Sequence, residues 1–340
     1  MIIQREVEPR PRFGNDGGEQ DGPKESPVQH EIALQKLRLH WPAALSVSWC
    51  PSLIEGRYLS IRVATLLLIL GLGACRAVPP TVQMPTLELI NWNTYHLFDH
   101  QLHQESATAW LAQQQPAMVA LQEVLHVDSS GLSSLAEKWG HPYAVMHKES
   151  GYPVALTSSA PIEVVERRVA GFHHGYLHAR THGFDVLVVH FWPGKIHEPQ
   201  HIAKLALDLV SKGKRVLVVG DYNGEIRHDH EYLLEHGQLG EVVDGVRTFD
   251  YRITDTFLES GFVDLTHAHA PTARYTFGSP ALIPRWRKDM EDVQRTRRRI
   301  DYIFADPSTA ERAISARVVT DDSSVGQWSD HYPVCVTFAP

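Results

Sequence analysis

The chain has 340 residues, a hydrophobic share of 43% and a charged share of 21%, as in a globular protein with a sizeable core. Its formal net charge of -8 excludes the broad basic surface of a dedicated nucleic-acid-binding protein, although it leaves room for a local basic patch. The three cysteines, Cys50, Cys75 and Cys335, have neither zinc-binding spacing nor the number and spacing of a disulfide framework.

The N-terminal quarter divides into two parts of different character. Residues 1–56 are polar, rich in turn residues and without a sustained hydrophobic period, so they are predicted to be disordered or a wrongly assigned extension. Residues 57–75 then combine a positive flank, a short apolar run and small residues before Cys75, the pattern of a secretory signal. The apolar run is short for a membrane span. A buried helix of a cytosolic protein is the alternative interpretation.

The end of this apolar run, Leu72-Gly-Ala-Cys75, resembles the bacterial lipobox. The resemblance implies cleavage before Cys75, lipid attachment to its sulfur and a mature protein tethered outside the cytoplasm, on the periplasmic or cell-surface side. Residues 76–85 would then be a proline-containing tether and 86–340 the folded domain. The polar segment before the signal predicts a translation start downstream of Met1, near residues 47–63.

The rest of the chain contains many short apolar segments and few segments of helical spacing. Strands are predicted, in chain order, at 87–93, 117–123, 152–157, 163–169, 175–179, 184–190, 216–219, 261–265, 299–304 and 334–338. Helices are predicted at 102–115, 132–139 and 200–212. Many strands with few helices between them predict an α+β fold of packed sheets with helices outside.

One predicted strand ends in residues suited to chemistry. The apolar run 216–219 stops at Gly220 and then presents Asp221 and Asn223. Because side chains alternate along an extended chain, these two point toward the same place, and rigid strand ends are where α/β enzymes hold reactive groups. An ordinary turn is the alternative, since Gly, Asp and Asn all favour turns.

Other strands also end in polar residues. These are Asn93, Glu123, His190 and Asp301, with Asp330 and His331 just before the last strand. Cleavage of a phosphate ester requires neutralised phosphate oxygens, an activated water and a protonated leaving group. Magnesium prefers oxygen ligands and needs only one or two protein carboxylates. Glu123 is therefore the best candidate ligand for Mg²⁺, or for Mn²⁺ or Ca²⁺, with Asn93 and Asp330 as further metal contacts.

The motifs NWN, LQE, VVH, GDYN, RIDYIF and SDHYPV follow one another in that order between residues 87 and 339. This ordered set resembles the endonuclease/exonuclease/phosphatase superfamily, which includes DNase I, repair nucleases, neutral sphingomyelinases and inositol-polyphosphate 5-phosphatases. The resemblance implies a DNase I-like, four-layer α/β/β/α sandwich, in which two mixed β-sheets pack face to face with helices outside and a site at one edge.

The resemblance also implies a role for each catalytic candidate. His331 would contact the scissile phosphate and be oriented by Asp301, since a carboxylate behind an imidazole fixes its tautomer and favours its charged form. Asp221 would polarise the attacking water and Asn223 would bind a phosphate oxygen. His190, a position shared with DNase I-like and sphingomyelinase-like members, would protonate the leaving oxygen.

Three features are open to more than one interpretation. Glu149 is a candidate carboxylate partner of His190, and Pro153 stands where the family leads us to expect a second glycine. The segment 285–299 holds seven basic and three acidic residues, so it is either a phosphate-tracking patch or a solvated loop. His173, His174 and residues 191–194 either line a substrate groove or serve packing and surface roles.

We therefore expect a lipid-tethered, extracytoplasmic, divalent-metal phosphodiesterase that acts by single-step attack of water. His190 and the arginine-rich segment favour a nuclease, so nucleic acid is the expected substrate. The lipid anchor and the acidic charge favour a sphingomyelinase- or phospholipase-like enzyme acting on phospholipid. The same motifs are also compatible with a phosphomonoesterase or with a catalytically silent binding module. No obligate protein partner is indicated.

Overall fold

A computed structural model of the chain describes residues 86–236, 238, 240–243 and 246–340. The predicted extension 1–56, the signal segment 57–75 with Cys75, and the tether 76–85 lie outside these described residues. Within the described part, no helix has both the length and the apolar character needed to cross a bilayer.

The described strands form two six-stranded sheets and a separate hairpin. In chain order they are β1 (Leu87–Asn93), β2 (Met118–Gln122), β3 (Tyr143–Met146), β4 (Val154–Ser158), β5 (Glu163–Arg168), β6 (Tyr176–Thr181), β7 (Phe184–His190), β8 (Val216–Asp221), β9 (Glu241–Val243), β10 (Val246–Thr248), β11 (Val263–Asp264), β12 (Asp301–Ala305), β13 (Ala313–Val318) and β14 (Val334–Phe338). The first sheet has the order β13-β14-β1-β2-β4-β3 and the second β11-β12-β8-β7-β6-β5, while β9 pairs with β10. Both sheets are mixed, because β1–β2 and β7–β8 are parallel among antiparallel neighbours.

The two sheets pack face to face with helices on both outer faces. The described helices are α1 (Gln104–Gln114), α2 (Ser129–Glu137), α3 (His197–Ser211), α4 (His230–Glu235), α5 (Arg252–Glu259), α6 (Leu265–His269), α7 (Met290–Gln294), α8 (Pro307–Ala310) and α9 (Val325–Trp328). A central cluster joins Leu89 and Val336 of the first sheet to Val186 and Ile303 of the second. Helices α1 and α2 pack on the first sheet, and α3 and α5 on the second. The predicted four-layer sandwich is confirmed.

The position of a strand in its sheet explains which strands could be predicted from the sequence. The central strands β7 and β8 are buried along their whole length and therefore have continuous apolar sequences. The sequence does not predict the edge strands β3 and β13, because three of the four residues of β3 and five of the six of β13 are at least partly exposed and their apolar pattern is weak.

Strand pairing places three of the predicted site residues side by side. The parallel register of β7 and β8 pairs His190 with Asp221, and the antiparallel register of β8 and β12 pairs Asp221 with Asp301. In the first sheet, Asn93 at the end of β1 pairs with Gln122, and Glu123 follows immediately. The polar ends of both sheets therefore meet at one edge of the sandwich.

Candidate active site

The structure brings the predicted site residues together at this edge. His190, Asp221 and Asp301 come from the second sheet, Asn93 and Glu123 from the first, and Asp330 and His331 from the segment before β14. All seven are buried, and Asn223 is partly buried. These residues are therefore largely desolvated, which strengthens the electrostatic interactions between them.

The carboxylate of Asp221 is the centre of the site. Its Oδ2 accepts a hydrogen bond from Asn93 Nδ2 at 2.9 Å, and it lies 3.4 Å from His190 Nε2 and 3.9 Å from His331 Nε2. Its Oδ1 accepts from the backbone N–H of Asn223 at 2.8 Å. One carboxylate oxygen thus faces two imidazoles and one amide, so a substrate bound here would meet all of these groups.

Gly220 allows β8 to deliver Asp221 to this position. Its φ is +153°, and a Cβ atom there would lie 2.0 Å from the carbonyl oxygen of Val189. The carbonyl of Gly220 accepts a hydrogen bond from Asn91 Nδ2 of the first sheet at 3.2 Å. The missing side chain thus permits close approach of β7, and the hydrogen bond ties the two sheets together beside the site.

His331 and Asp301 form a buried ion pair. His331 Nδ1 lies 2.8 Å from Asp301 Oδ2, which also accepts a hydrogen bond from Thr276 Oγ1 at 2.6 Å. Burial acts to lower the pKa of His331, but the carboxylates of Asp301, Asp330 and Asp221 outweigh it and raise this pKa to about 10. The imidazole is therefore positively charged at neutral pH, which suits it to contact an anion.

The environment of Asp221 also favours the protonated form of its side chain. Burial raises the pKa of the Asp221 carboxyl to about 7; Asp301 adds to this shift, and the charge of His331 opposes it. A carboxyl group with a pKa near neutrality can accept a proton from water at working pH, which is the property of a general base.

Glu123 provides the oxygen best suited to a divalent metal ion. Its Oε1 accepts from Asn93 Nδ2 at 3.3 Å, whereas its buried Oε2, 3.4 Å from His96 Nε2, accepts no hydrogen bond among the described residues. Buried carboxylate oxygens are normally paired or coordinate metals, so this oxygen fits a hard cation such as Mg²⁺. Asn93 donates through its amide nitrogen, and its oxygen accepts from Tyr95 N–H, so in this structure it chiefly orients the two carboxylates.

Sequence reasoning missed the serine that holds the loop before β14. Ser329 Oγ donates to the carbonyl of Asn93 at 2.7 Å and accepts from the backbone N–H of His331 at 3.1 Å. Asp330 Oδ1 lies 3.8 Å from His331 Nε2, so the predicted metal contact faces the site. The serine belongs to the SDHYPV motif, and its position next to Asp330 was the signal available in the sequence.

His190 has neighbours other than the predicted one. Its ring stacks on His174 at 4.1 Å between centroids, and Tyr152 lies 6.4 Å away. The assignment of Glu149 as its partner is wrong: Glu149 Oε1 accepts from the N–H and hydroxyl of Ser129, and the carboxylate facing His190 is that of Asp221.

The predicted groove residues lie next to His190. His173 packs against Trp192 with 3.9 Å between ring centroids, and Trp192 also contacts His174. His173 is exposed and Trp192 is partly exposed, whereas Phe191 is buried in the core of the second sheet. An aromatic surface of His173 and Trp192 thus extends from the site, while Phe191 has a packing role.

The C-terminal half of the arginine-rich segment is mostly neither a basic patch nor a solvated loop, because most of its arginines pair with carboxylates. Its last three arginines form ion pairs: Arg297 with Asp322 and Arg298 with Glu225 are partly exposed pairs, whereas Arg299 pairs with Asp229 and Asp264 inside the protein. These carboxylates come from distant parts of the chain, so the pairing was not visible in the sequence.

The N-terminal half of the same segment borders the site. Arg285 Nη1 and Trp286 Nε1 both donate to the hydroxyl of Tyr95, at 3.0 and 2.8 Å. Trp286 is 40% exposed, and Tyr95 N–H binds Asn93. One arginine and one tryptophan of the predicted patch therefore stand close to the site with exposed surface.

Comparison with known proteins agrees with this geometry. The sequence model of the Endonuclease/Exonuclease/phosphatase family matches residues 90–331. No curated protein has a significantly similar sequence.

Solved structures share the fold at low sequence identity. A 3′ phosphatase from Neisseria bound to a product DNA hairpin has a TM-score of 0.58 at 18% identity, covering 74% of this chain and 99% of its own. An AP endonuclease from Archaeoglobus fulgidus has 0.54 at 20% identity, and a 3′-5′ exonuclease from Neisseria meningitidis has 0.56 at 18%. Each of these two alignments covers 75% of this chain and 100% of the solved chain.

Proposed function

Because the chain belongs to the Endonuclease/Exonuclease/phosphatase family and is a metal-dependent hydrolase of phosphoric esters, we propose that it is a phosphodiesterase that cuts nucleic acid by in-line attack of water. The observation that carries this proposal is the arrangement of Asn93, His190 and His331 around one carboxylate oxygen of Asp221. Such a set of groups can orient a water, neutralise a phosphate and protonate a leaving oxygen.

Two residues act on the water and the phosphate. Asp221 orients the attacking water and accepts its proton, for which its raised pKa suits it. His331, held by Asp301, donates a hydrogen bond from Nε2 to a phosphate oxygen and carries the positive charge that stabilises the developing negative charge.

Two further residues complete the reaction. His190 donates a proton to the leaving oxygen from Nε2, the nitrogen that faces the site. Asn223 Nδ2 uses one hydrogen on the carbonyl of Phe191 at 3.1 Å, and its second hydrogen is available for a phosphate oxygen.

Glu123 and Asp330 would hold the metal ion, and Asn93 keeps Glu123 in place through a hydrogen bond to its Oε1. When bound, Mg²⁺ supplies Lewis-acid polarisation of the phosphate and neutralises its charge. Mg²⁺ is the proposed ion because Glu123 and Asp330 offer oxygen ligands, and Mn²⁺ can replace it with the same ligand type.

Nucleic acid is the substrate class that the surroundings of the site favour. The exposed ring of Trp286 and the side chain of Arg285 stand on one side, and His173 with Trp192 on another. Aromatic rings stack on bases and arginines bind phosphates, so these surfaces suit a polynucleotide better than a lipid headgroup. The similar structures include a phosphatase bound to a DNA hairpin and an AP endonuclease.

The experiment compares substrates with the purified protein in Mg²⁺, Mn²⁺ or Ca²⁺. Plasmid DNA, RNA, sphingomyelin, an aryl phosphodiester and an aryl phosphomonoester are incubated with the protein and with its His331→Ala variant. We expect nucleic acid to be cut and the variant to lose about 10³-fold or more in rate. His201→Ala, an exposed histidine on α3, is the matched control and should keep full activity.

Any different result points to a different function. Cleavage of sphingomyelin alone would support a phospholipid substrate, and cleavage of the monoester alone a phosphomonoesterase. Metal binding without turnover of any ester would support a binding module. Full activity of His331→Ala would overturn the mechanism.

The lipid anchor is a separate part of the proposal. The sequence Leu72-Gly-Ala-Cys75 after a positive flank supports lipid attachment at Cys75 and an extracytoplasmic location. A bacterial host grown with labelled fatty acid should label the wild-type protein and its Cys50→Ser control, whereas Cys75→Ser should carry no label. Equal labelling of Cys75→Ser would exclude this anchor.

A further inference from the structure

Three histidines form a second cluster outside the catalytic residues. His96 and His100 lie in the segment after β1, and His126 lies in the loop after β2. His96 Nδ1 is 3.2 Å from His100 Nε2, and His100 Nδ1 is 3.3 Å from His126 Nε2. One nitrogen from each of the three can be chosen so that all lie within 4.8 Å of one another. The three imidazoles can therefore reach a common ion.

A common ion can use only one nitrogen of His100, whereas the two shortest separations involve Nε2 and Nδ1 of that ring, so the nitrogens that can share an ion are those within 4.8 Å of one another. In a tetrahedral zinc site, zinc–nitrogen distances of about 2.0–2.1 Å place neighbouring ligand atoms about 3.3 Å apart, so the exposed rings of His100 and His126 would turn to close around the ion. Imidazole suits Zn²⁺, Cu²⁺ and Ni²⁺, whereas Mg²⁺ prefers oxygen. The cluster thus differs in metal preference from the oxygen ligands at Glu123.

All three histidines adopt left-handed backbone conformations. Their φ angles are 57°, 55° and 66°, and the whole segment 95–101 has positive φ. Each such L-residue costs about 1–2 kcal/mol, and these conformations are concentrated at active sites and ligand-binding sites. The segment is held by buried Leu97 and Phe98, so the fold itself maintains the arrangement.

The cluster is open to solvent on one side and close to the catalytic site on the other. His100 and His126 are exposed and His96 is half-buried, so an ion has a path from solution and a position left for water. His96 Nε2 lies 3.4 Å from Glu123 Oε2. An ion bound by the histidines would therefore border the predicted magnesium ligand without using it.

We propose that His96, His100 and His126 form a site for a divalent transition-metal ion of the zinc class, separate from the magnesium site of the reaction. The three imidazole nitrogens are the protein ligands, and water completes the coordination. A chain of hydrogen-bonded neutral imidazoles would give the same nitrogen separations with no metal affinity. Metal titration distinguishes the two.

The test is a titration of the full chain with Zn²⁺ by calorimetry after removal of metals, with excess Mg²⁺ present. We expect one tight Zn²⁺ per chain, and at least a 100-fold loss of affinity in the double variant His100→Ala/His126→Ala. The matched control is His197→Ala/His201→Ala, which removes two exposed histidines four residues apart on α3 and should bind Zn²⁺ as the wild type does.

Two further measurements keep the result interpretable. The His100→Ala/His126→Ala variant should retain its magnesium-dependent activity, which shows that it is folded. Zn²⁺ should raise the Tm of the wild type and leave that of the double variant unchanged. The proposal is overturned if the wild type shows no tight Zn²⁺, if the double variant binds equally, or if Mg²⁺ displaces the ion.

Discussion

At the scale of single residues, the site depends on two buried groups whose pKa values are both raised, His331 and Asp221. His331 is held in its charged form by three carboxylates, with a pKa of about 10, while burial raises the pKa of Asp221 to about 7. A base and a cationic phosphate contact thus coexist within 3.9 Å near neutral pH. Because these two pKa values differ, Asp221 can lose its proton while His331 keeps its charge, and one site supports both roles.

Asp301→Asn should move the alkaline limit of the reaction. The variant removes the carboxylate that does most to raise the pKa of His331, so burial lowers that pKa from about 10 and the imidazole becomes neutral at a lower pH. We expect the alkaline limb of the profile of kcat/KM against pH to shift downward and the rate at pH 8 to fall about 100-fold.

Thr276→Val is the matched control for this substitution. It removes a hydrogen bond to the same oxygen of Asp301 but leaves the negative charge in place. Its alkaline limb should stay close to that of the wild type. An equal shift in both variants would show that hydrogen bonding, and not the charge of Asp301, sets the pKa of His331.

Asp221→Asn should change how stability depends on pH in metal-free buffer. The folded pKa of Asp221 is raised from its ordinary 3.8 to about 7, so its contribution to stability is fully present below pH 3.8 and is lost as pH rises through 7. The wild type should therefore lose stability relative to the variant across this window, by at most about 1.4 kcal/mol per pH unit. Urea unfolding of both proteins from pH 4 to 8 measures the difference, and a constant difference would contradict the assignment.

At the scale of elements, strand register brings the site residues together. Single glycine and arginine positions then stabilise the elements that carry them. The pairing of β7 with β8 and of β8 with β12 puts His190, Asp221 and Asp301 in one row. A one-residue slip would move every side chain to the opposite face of the sheet. Because these strands have buried faces, their register is fixed, and the register determines the geometry of the site.

Gly220→Ala should destabilise the protein by about 3 kcal/mol, because the added Cβ would lie 2.0 Å from the carbonyl oxygen of Val189. Gly213→Ala is the control, since Gly213 has a φ of +72° but open space around its Cβ position. The free energy of unfolding of the control should fall by only about 1–2 kcal/mol, the cost of a left-handed conformation for an L-residue. Urea denaturation measures both variants. Equal losses of unfolding free energy would refute the close-contact argument.

Arg299→Met should cost about 3–5 kcal/mol, because it removes the cation that pairs with the buried carboxylate of Asp264 and leaves Asp229 with Arg274 alone. Arg295→Met, which breaks an exposed pair with Glu291, should cost less than about 0.5 kcal/mol. Guanidinium unfolding measures both. If the two variants lost equal stability, Arg299 would have no special structural role.

At the scale of the whole molecule, the described residues between 86 and 340 form one compact unit that contains both sheets. The first sheet joins the beginning and the end of this unit, since β1 lies between β14 and β2. Folding of the unit thus depends on contacts between its two ends.

A fragment of residues 77–340 should fold with a cooperative thermal transition and have the metal-dependent activity of the full chain, because the described strands of both sheets lie within it. A fragment that starts at residue 96 lacks β1 and should be unfolded, since the first sheet loses a central strand. For both fragments, circular dichroism measures folding and the cleavage of phosphate esters measures activity. An unfolded 77–340 fragment would show that the preceding residues are required.

The sequence by itself determined the central strands, the α+β class and the chemistry available at the strand ends. Val216–Val219 and the run that ends at His190 could be read directly, because a strand buried on both faces has a continuous apolar sequence. The candidate residues could also be chosen from it, because metal-assisted phosphate chemistry requires carboxylates, amides and imidazoles.

Only the tertiary structure decided which of these groups meet. Asn93 and Asp221 are 128 residues apart in sequence yet share a 2.9 Å hydrogen bond, and the partners of Arg299 lie 35 and 70 residues away. The structure replaced Glu149 with Asp221 as the carboxylate facing His190 and brought His126 beside His100. The physical reason is that hydrogen bonds and ion pairs act over a few ångströms in space, and the chain separation of two residues does not fix that distance.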